Sequence, residues 1–193
     1  MYVRDARNRD EVWLLDNIEG MGLDEVAFRS RDYVIAVDEE TNTRAGFGRI
    51  RIHKAGDEEQ CELTSLGVLE SWRGQGVGAH IVERLVENAG DAEFEELYAF
   101  VEAPEYLERF GFERIDEGDL PEKLAARLDE KRADVSPEAE PLRLVVADFT
   151  MPRDLREAFK VAGEDEGEPE PEETPEDFGI DPETATYKYD TGG

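Results

Sequence analysis

The sequence predicts a mixed α/β domain, a mostly antiparallel sheet flanked by helices, followed by an acidic extension. Three observations carry this. Short apolar runs with strand character alternate with helical patterns over residues 1–160. A glycine-rich turn, Gly74-Gln75-Gly76-Val77-Gly78, joins an apolar strand to an amphipathic helix. The composition then changes abruptly, and residues 163–193 hold twelve acidic residues against one lysine.

Taken in order, residues 2–4 read as a short strand. Asp10 is placed to cap a helix over 11–19, with Leu14, Leu15 and Ile18 on one face and Gly20 and Gly22 ending it. A helical turn over 23–28 leads to an apolar strand at 33–37, a polar turn at 38–43 and a return strand ending at His53. Along that strand Gly46, Gly48, Ile50 and Ile52 share one face, and Phe47, Arg49, Arg51 and His53 share the other. After a turn at 55–59, residues 62–69 form a central strand. The next helix covers about 76–89, its stripe made of Val77, Ile81, Val82, Leu85, Val86 and Ala89, with Gly90 at the C′ position that ends a helix.

A strand at 97–101 follows, then a short helix at 104–109 opened by its proline, a strand at 112–115, a helix at 121–131, a loop at 135–141, a strand at 142–149 and a closing helix at 152–160. There is no internal repeat. One domain over 1–160, with a core of about 1–150, accounts for these elements. Residues 161–193 are expected to form a largely disordered tail, since few large apolar side chains are present to offset the entropy of ordering it. Its Gly192-Gly193 end is read as a flexible terminus.

The formal net charge of −28 excludes the electrostatic footprint of a nucleic-acid or anionic-membrane binder. Lysine is scarce (54, 123, 131, 160 and 188) beside arginine, and this balance resembles that of extreme halophiles, in which molar salt with a Debye length of about 3 Å screens surface repulsion. Cys61 stands alone in an apolar run, so no disulfide framework is expected and a reducing compartment fits. With neither a signal-like N-terminus nor an apolar span, the expected location is cytoplasmic.

The glycine turn is where chemistry enters. A helix N-terminus presents unpaired N–H groups and positive dipole potential to a phosphate, glycines let the anion approach, and Arg73 adds a cation. A ligand-free tight turn would use the same glycines. A P-loop is excluded because no Gly-Lys-Ser/Thr follows, and the dinucleotide fingerprint because the spacing is G-x-G-x-G after three strands. The stretch from Val68 to Ala79 resembles motif A of the GNAT superfamily of N-acetyltransferases, whose Q/R-x-x-G-x-G/A core is met by Arg73, Gly76 and Gly78. Glu105-Tyr106-Leu107-Glu108-Arg109-Phe110-Gly111-Phe112 resembles its motif B, in the right order downstream.

This resemblance, over about residues 1–150, implies acetyl-CoA as co-substrate, held by Val68, Arg73, Gly74, Gln75, Gly76, Val77, Gly78 and Ala79 between splayed central strands, with Val68 and Val101 near the cleft. No metal is expected, because His53 and His80 stand apart without companion ligands. A homodimer is compatible with it.

Acetyl transfer needs an uncharged amine, and a lysine amine in water holds its proton up to a pKa of about 10.4. Glu62, six residues before Val68, is the candidate base by resemblance, and alternation puts both side chains on one face. A solvated glutamate at a strand start is the competing reading. The family's usual proton donor, a tyrosine four residues before the motif B glycine, is replaced by Leu107; Tyr106 is the second catalytic candidate, though offset by about 100° on a helix and equally read as packing, with solvent as the other proton source.

Motif B and the 62–73 region most resemble the N-acetylglutamate synthase-like branch, which implies an amino-acid acceptor. Arg29, Arg31, Arg49 and Arg51 are then available for its carboxylates, although each is also a ready surface ion-pair partner. The function expected is N-acetylation of a small-molecule amine. Acetylation of a protein lysine or N-terminus, and a non-catalytic acyl-CoA sensor, are the alternatives.

Overall fold

The computed structural model describes residues 1–163; the acidic tail beyond Gly163, including Gly192-Gly193, lies outside the described residues. Seven strands form one sheet: β1 Tyr2–Asp5, β2 Tyr33–Val37, β3 Arg44–Ala55, β4 Glu58–Val68, β5 Glu96–Val101, β6 Glu113–Arg114 and β7 Glu140–Val145, in the order β1-β2-β3-β4-β5-β7-β6. Every adjacent pair is antiparallel except β4 and β5. Helix α1 (Glu11–Gly20) and α4 (Glu122–Asp134) cover one face. Helix α2 (Val77–Asp91) covers the other, joined there by α3 (Pro104–Glu108) and α5 (Arg153–Lys160).

Alternation in the strands divides the core between those layers. Val34, Ala36, Leu97 and Ala99 meet the stripe of α2, whose Ile81, Val82, Leu85 and Ala89 are fully buried. Tyr33, Ile35 and Phe47 meet Leu14 and Ile18 of α1, and Tyr98 and Phe100 meet Leu124 and Leu128 of α4. Gly46 and Gly48 let α2 ride close on β3: a Cβ at Gly48 would lie 2.7 Å from Ile81 Cγ2.

Four local expectations are corrected. Residues 23–28 are not helical; Ala27 takes a φ of 52° and the segment runs as turns. Asp10 does not cap α1: its fully buried carboxylate accepts hydrogen bonds from Arg4, Arg44 and the Arg7 N–H at 2.7, 2.9 and 2.8 Å. Burial alone would raise its pKa, but these donors hold it below the usual carboxylate range. Gly90 does not end α2, which runs to Asp91; the left-handed residue is Glu93 (φ 65°), with Phe94 N–H returning to the Ala89 carbonyl. The last strand starts at Glu140 and stops at Val145.

Candidate active site

The parallel pair β4 and β5 stays in register only at Cys61/Leu97, Glu62/Tyr98 and Leu63/Ala99. At the next residues β4 bulges. Ser65 takes a φ of 51°, the β3–β4 register slips between Phe47 and Arg49, and β5 continues without its partner. Ser65 is held in that conformation by its hydroxyl, which donates to the Asp24 carbonyl at 2.5 Å. The splay opens a cleft of about 380 Å³ between Thr64, Ser65 and Leu66 on one side and Val101, Ala103 and Tyr106 on the other, with Lys131 on its floor.

The bulge corrects the facing of Glu62. Cys61 and Leu63 point to the α2 layer, and so, after the extra residue, do Leu66 and Val68; Glu62 points to the α4 layer, opposite Val68. Nor is Glu62 a solvated residue at a strand start, because its side chain is fully buried in a charge network. Its Oε2 lies 2.7 Å from His53 Nε2 and accepts from Arg127 Nε at 3.0 Å, while Arg127 also binds Asp24. Lys131 Nζ stands 3.9 Å from Glu62 Oε1 and donates to Thr64 Oγ1 at 3.1 Å.

Burial alone would push the Glu62 pKa up, but the His53 hydrogen bond and the charges of Arg127 and Lys131 outweigh it and bring it down to about 2. Lys131 is depressed, chiefly by burial and further by Arg127, with Glu62 and Asp24 opposing. Lys131, and not Glu62, is among the residues that line the cleft. Asp24, Arg127 and Lys131 were not singled out from sequence. A signal was present: Arg127 and Lys131 share a helix face with Leu124 and Leu128, so two cations sit in an apolar stripe.

The turn entering α2 holds Gly74 and Gly76 in left-handed conformations (φ 75° and 73°), and no side chain caps the helix N-terminus. Arg73 lies beside it and donates to the Val68 carbonyl at 3.1 Å. Open space surrounds Gly74, whereas at Gly76 the close neighbour is the backbone of α5: a Cβ there would overlap the Leu155 carbonyl oxygen. Phe159 of α5 stacks on His80 at 3.7 Å, Arg156 pairs with Glu83 at 2.6 Å, and Gln75 accepts the Gly163 N–H at 3.1 Å. Val77, Gly78 and Ala79 are buried in the first turn.

On α3 both neighbouring positions line the cleft. Leu107 is buried in the core, and Tyr106 is half-buried, its hydroxyl only 2.8 Å from where a Cβ on Gly78 would sit. Burial pushes the Tyr106 pKa up to about 12. Of the arginines considered for an acceptor carboxylate, Arg49 donates to the Val26 and Ala27 carbonyls at 2.8 and 2.6 Å and stacks on Tyr33, so its guanidinium fixes the 21–32 segment to the sheet. Arg29, Arg49 and Arg51 line a different cavity from the cleft, and Arg31 lines neither.

In architecture the chain is similar to several solved structures. It matches Rv2747 from Mycobacterium tuberculosis, in complex with CoA and NLQ, at 17% identity and a TM-score of 0.63 over 75% of this chain and 99% of that one. It matches N-acetylglutamate synthase from Neisseria gonorrhoeae, complexed with coenzyme A and N-acetyl-glutamate, at 17% identity and 0.58 over 74% of this chain and 34% of that one. Naa50 of Arabidopsis thaliana, in complex with the bisubstrate analogue CoA-Ac-MVNAL, matches at 15% identity and 0.53 over 74% and 97%. At these identities the likeness is one of fold. The sequence itself matches the model of the acetyltransferase (GNAT) family over residues 3–112, more than half of its length and across both the glycine turn and the Gly111-Phe112 segment, and the chain belongs to that family.

Proposed function

We propose that this acetyltransferase uses acetyl-CoA to acetylate the primary amine of a small molecule such as an amino acid, in a cytoplasmic setting. The observation that carries the reading is the cleft, about 380 Å³, whose lining residue Tyr106 reaches Gly78 of the glycine turn and which is small for an extended peptide. The CoA complexes of the Mycobacterium and Neisseria proteins support the co-substrate, and their NLQ and N-acetyl-glutamate ligands support the acceptor class. The turn fits a pyrophosphate because its glycines are left-handed and its helix N–H groups are uncapped. Val68, Arg73, Gly74, Gln75, Gly76, Val77, Gly78 and Ala79 are the residues that would hold the co-substrate, which supplies an activated acetyl thioester.

Lys131 is the base that this geometry favours. It faces the cleft, its proton affinity is lowered, and Glu62 positions it from behind rather than touching substrate. A carboxylate with a pKa of about 2 is itself a poor proton acceptor at neutral pH. Tyr106 keeps its proton at neutral pH and donates a hydrogen bond to the departing sulfur, while solvent supplies the proton.

Two outcomes are expected from steady-state kinetics. Lys131→Met lowers kcat/KM by about 10²–10⁴ and removes the rising limb of the pH profile. Glu62→Gln shifts that limb to lower pH, since the carboxylate raises the Lys131 pKa and its loss lowers it. An unmoved limb in both variants removes the pair from proton transfer. The proposal as a whole is tested by thiol release from acetyl-CoA with pools of free amino acids, then lysine-containing peptides, in molar KCl. Release with peptides alone overturns the small-molecule assignment, and acetyl-CoA binding without release from any pool leaves a sensor.

A further inference from the structure

On the α4 side of the sheet a second cavity, about 560 Å³, opens between β3, the 27–32 segment and the first turn of α4. Its lining includes Arg29, Arg49, Arg51, Lys54 and Lys123 against only Asp32 and Glu59, and none of these lines the cleft. Lys54 is matched by Glu59 at 3.0 Å. Arg29, Arg51 and Lys123 make no ion pair within 4.0 Å among the described residues. In a chain with fifty acidic residues and a net charge of −28, three cations converging without partners are an exception to the surface pattern. Two of the scarce lysines are spent here.

The unpaired donors reach inward as well. Arg51 Nη1 and Arg49 Nε are buried and have no hydrogen-bond acceptor, and a buried donor without an acceptor is costly. Burial first, and then the neighbouring charges of Arg127 and Arg49, lower the proton affinity of Arg51, with Glu62 and Asp24 opposing. Arg29 and Lys123 are exposed and leave the mouth open to solvent. A volume of this size holds a metabolite, in the usual range of about 300–1,000 Å³.

We propose that this cavity binds a small multivalent oxyanion, carrying two or more carboxylate or phosphate groups, at a site separate from the acetyl-transfer cleft. Guanidinium forks take such groups in pairs of parallel hydrogen bonds, and a multivalent anion answers several cations at once. His53, in the wall of the cavity, touches Glu62, which also meets Arg127 and stands near Lys131 at the cleft, so one charge network separates the two sites.

Isothermal titration calorimetry of the full chain, at constant KCl and with citrate or pyrophosphate as separate probes, tests this with no need for turnover. One anion binds per chain, equally well with CoA present; Arg51→Gln weakens it at least tenfold and Lys123→Gln about threefold. Whichever probe binds tighter identifies the carboxylate or the phosphate source. Arg51→Gln melts no lower than the parent, because it removes a half-buried cation whose Nη1 has no acceptor, and if it fails to fold the exposed Lys123→Gln carries the same comparison. The proposal is overturned if neither probe gives saturable heat, if the variants bind as the parent does, or if CoA displaces the anion and so places it at the glycine turn.

Discussion

Arg127→Leu costs the domain about 3–5 kcal/mol in chemical denaturation at pH 7, the range for removing one partner of a buried charge network. Its guanidinium is the bond between Glu62 on β4 and Asp24 in the 21–32 segment, and all three side chains are buried. Leucine fills much of the volume but leaves Glu62 with a carboxylate that water cannot reach. The pH dependence checks the cause. In the parent, Glu62 has a folded pKa of about 2, below the 4.5 of a glutamate in water, so it stabilises above about pH 4.5 and loses that contribution as the pH falls toward 2. In the variant His53 and Lys131 remain but the Arg127 contribution is gone, so the carboxylate pKa rises and the cost is largest near neutrality and shrinks in acid. A parent-to-variant gap that is the same at pH 7 and pH 4 would mean that lost packing, not charge, explains the effect.

Gly76→Ala is expected to cost about 2–5 kcal/mol and to weaken acetyl-CoA binding severely. A left-handed alanine loses about 1–2 kcal/mol, and the added methyl overlaps the Leu155 carbonyl oxygen, a contact that either α5 or the turn must yield to, at about 1–3 kcal/mol. Gly74→Ala is the matched control. It has the same handedness, with a φ of 75°, but nothing within 4 Å, so it carries the backbone cost alone. The difference between the two melting curves isolates the approach of α5. Equal destabilisation by the two substitutions would show that α5 accommodates the methyl freely.

What the sequence disclosed was local. The strand–helix order, the α2 stripe and the uncapped glycine turn follow from periodicity and from single-residue preferences, and each stands where those signals put it. What it concealed was set at a distance. Residues 23–28 have helical composition, but Arg49 draws the Val26 and Ala27 carbonyls down to the sheet, taking acceptors that a helix would use. Asp24 meets Arg127 from a position 103 residues away. Asp10 has the chemistry of a cap, but Arg4 and Arg44 claim its oxygens. Tyr106 was legible only as a candidate with packing as its equal, because its place depends on contacts distant in sequence: its ring meets Phe110 edge-on and its hydroxyl lies against Gly78.

The left-handed serine in β4 acts as a phase switch. Ahead of it, odd-numbered residues serve α2; behind it, even-numbered ones do. One continuous strand can therefore deliver Glu62 to the charged layer and Val68 to the apolar layer, although both are even-numbered. Deleting Ser65 would force a choice, since no in-phase strand satisfies both helices: either the carboxylate enters the hydrocarbon of α2 or the valine enters the charges of α4.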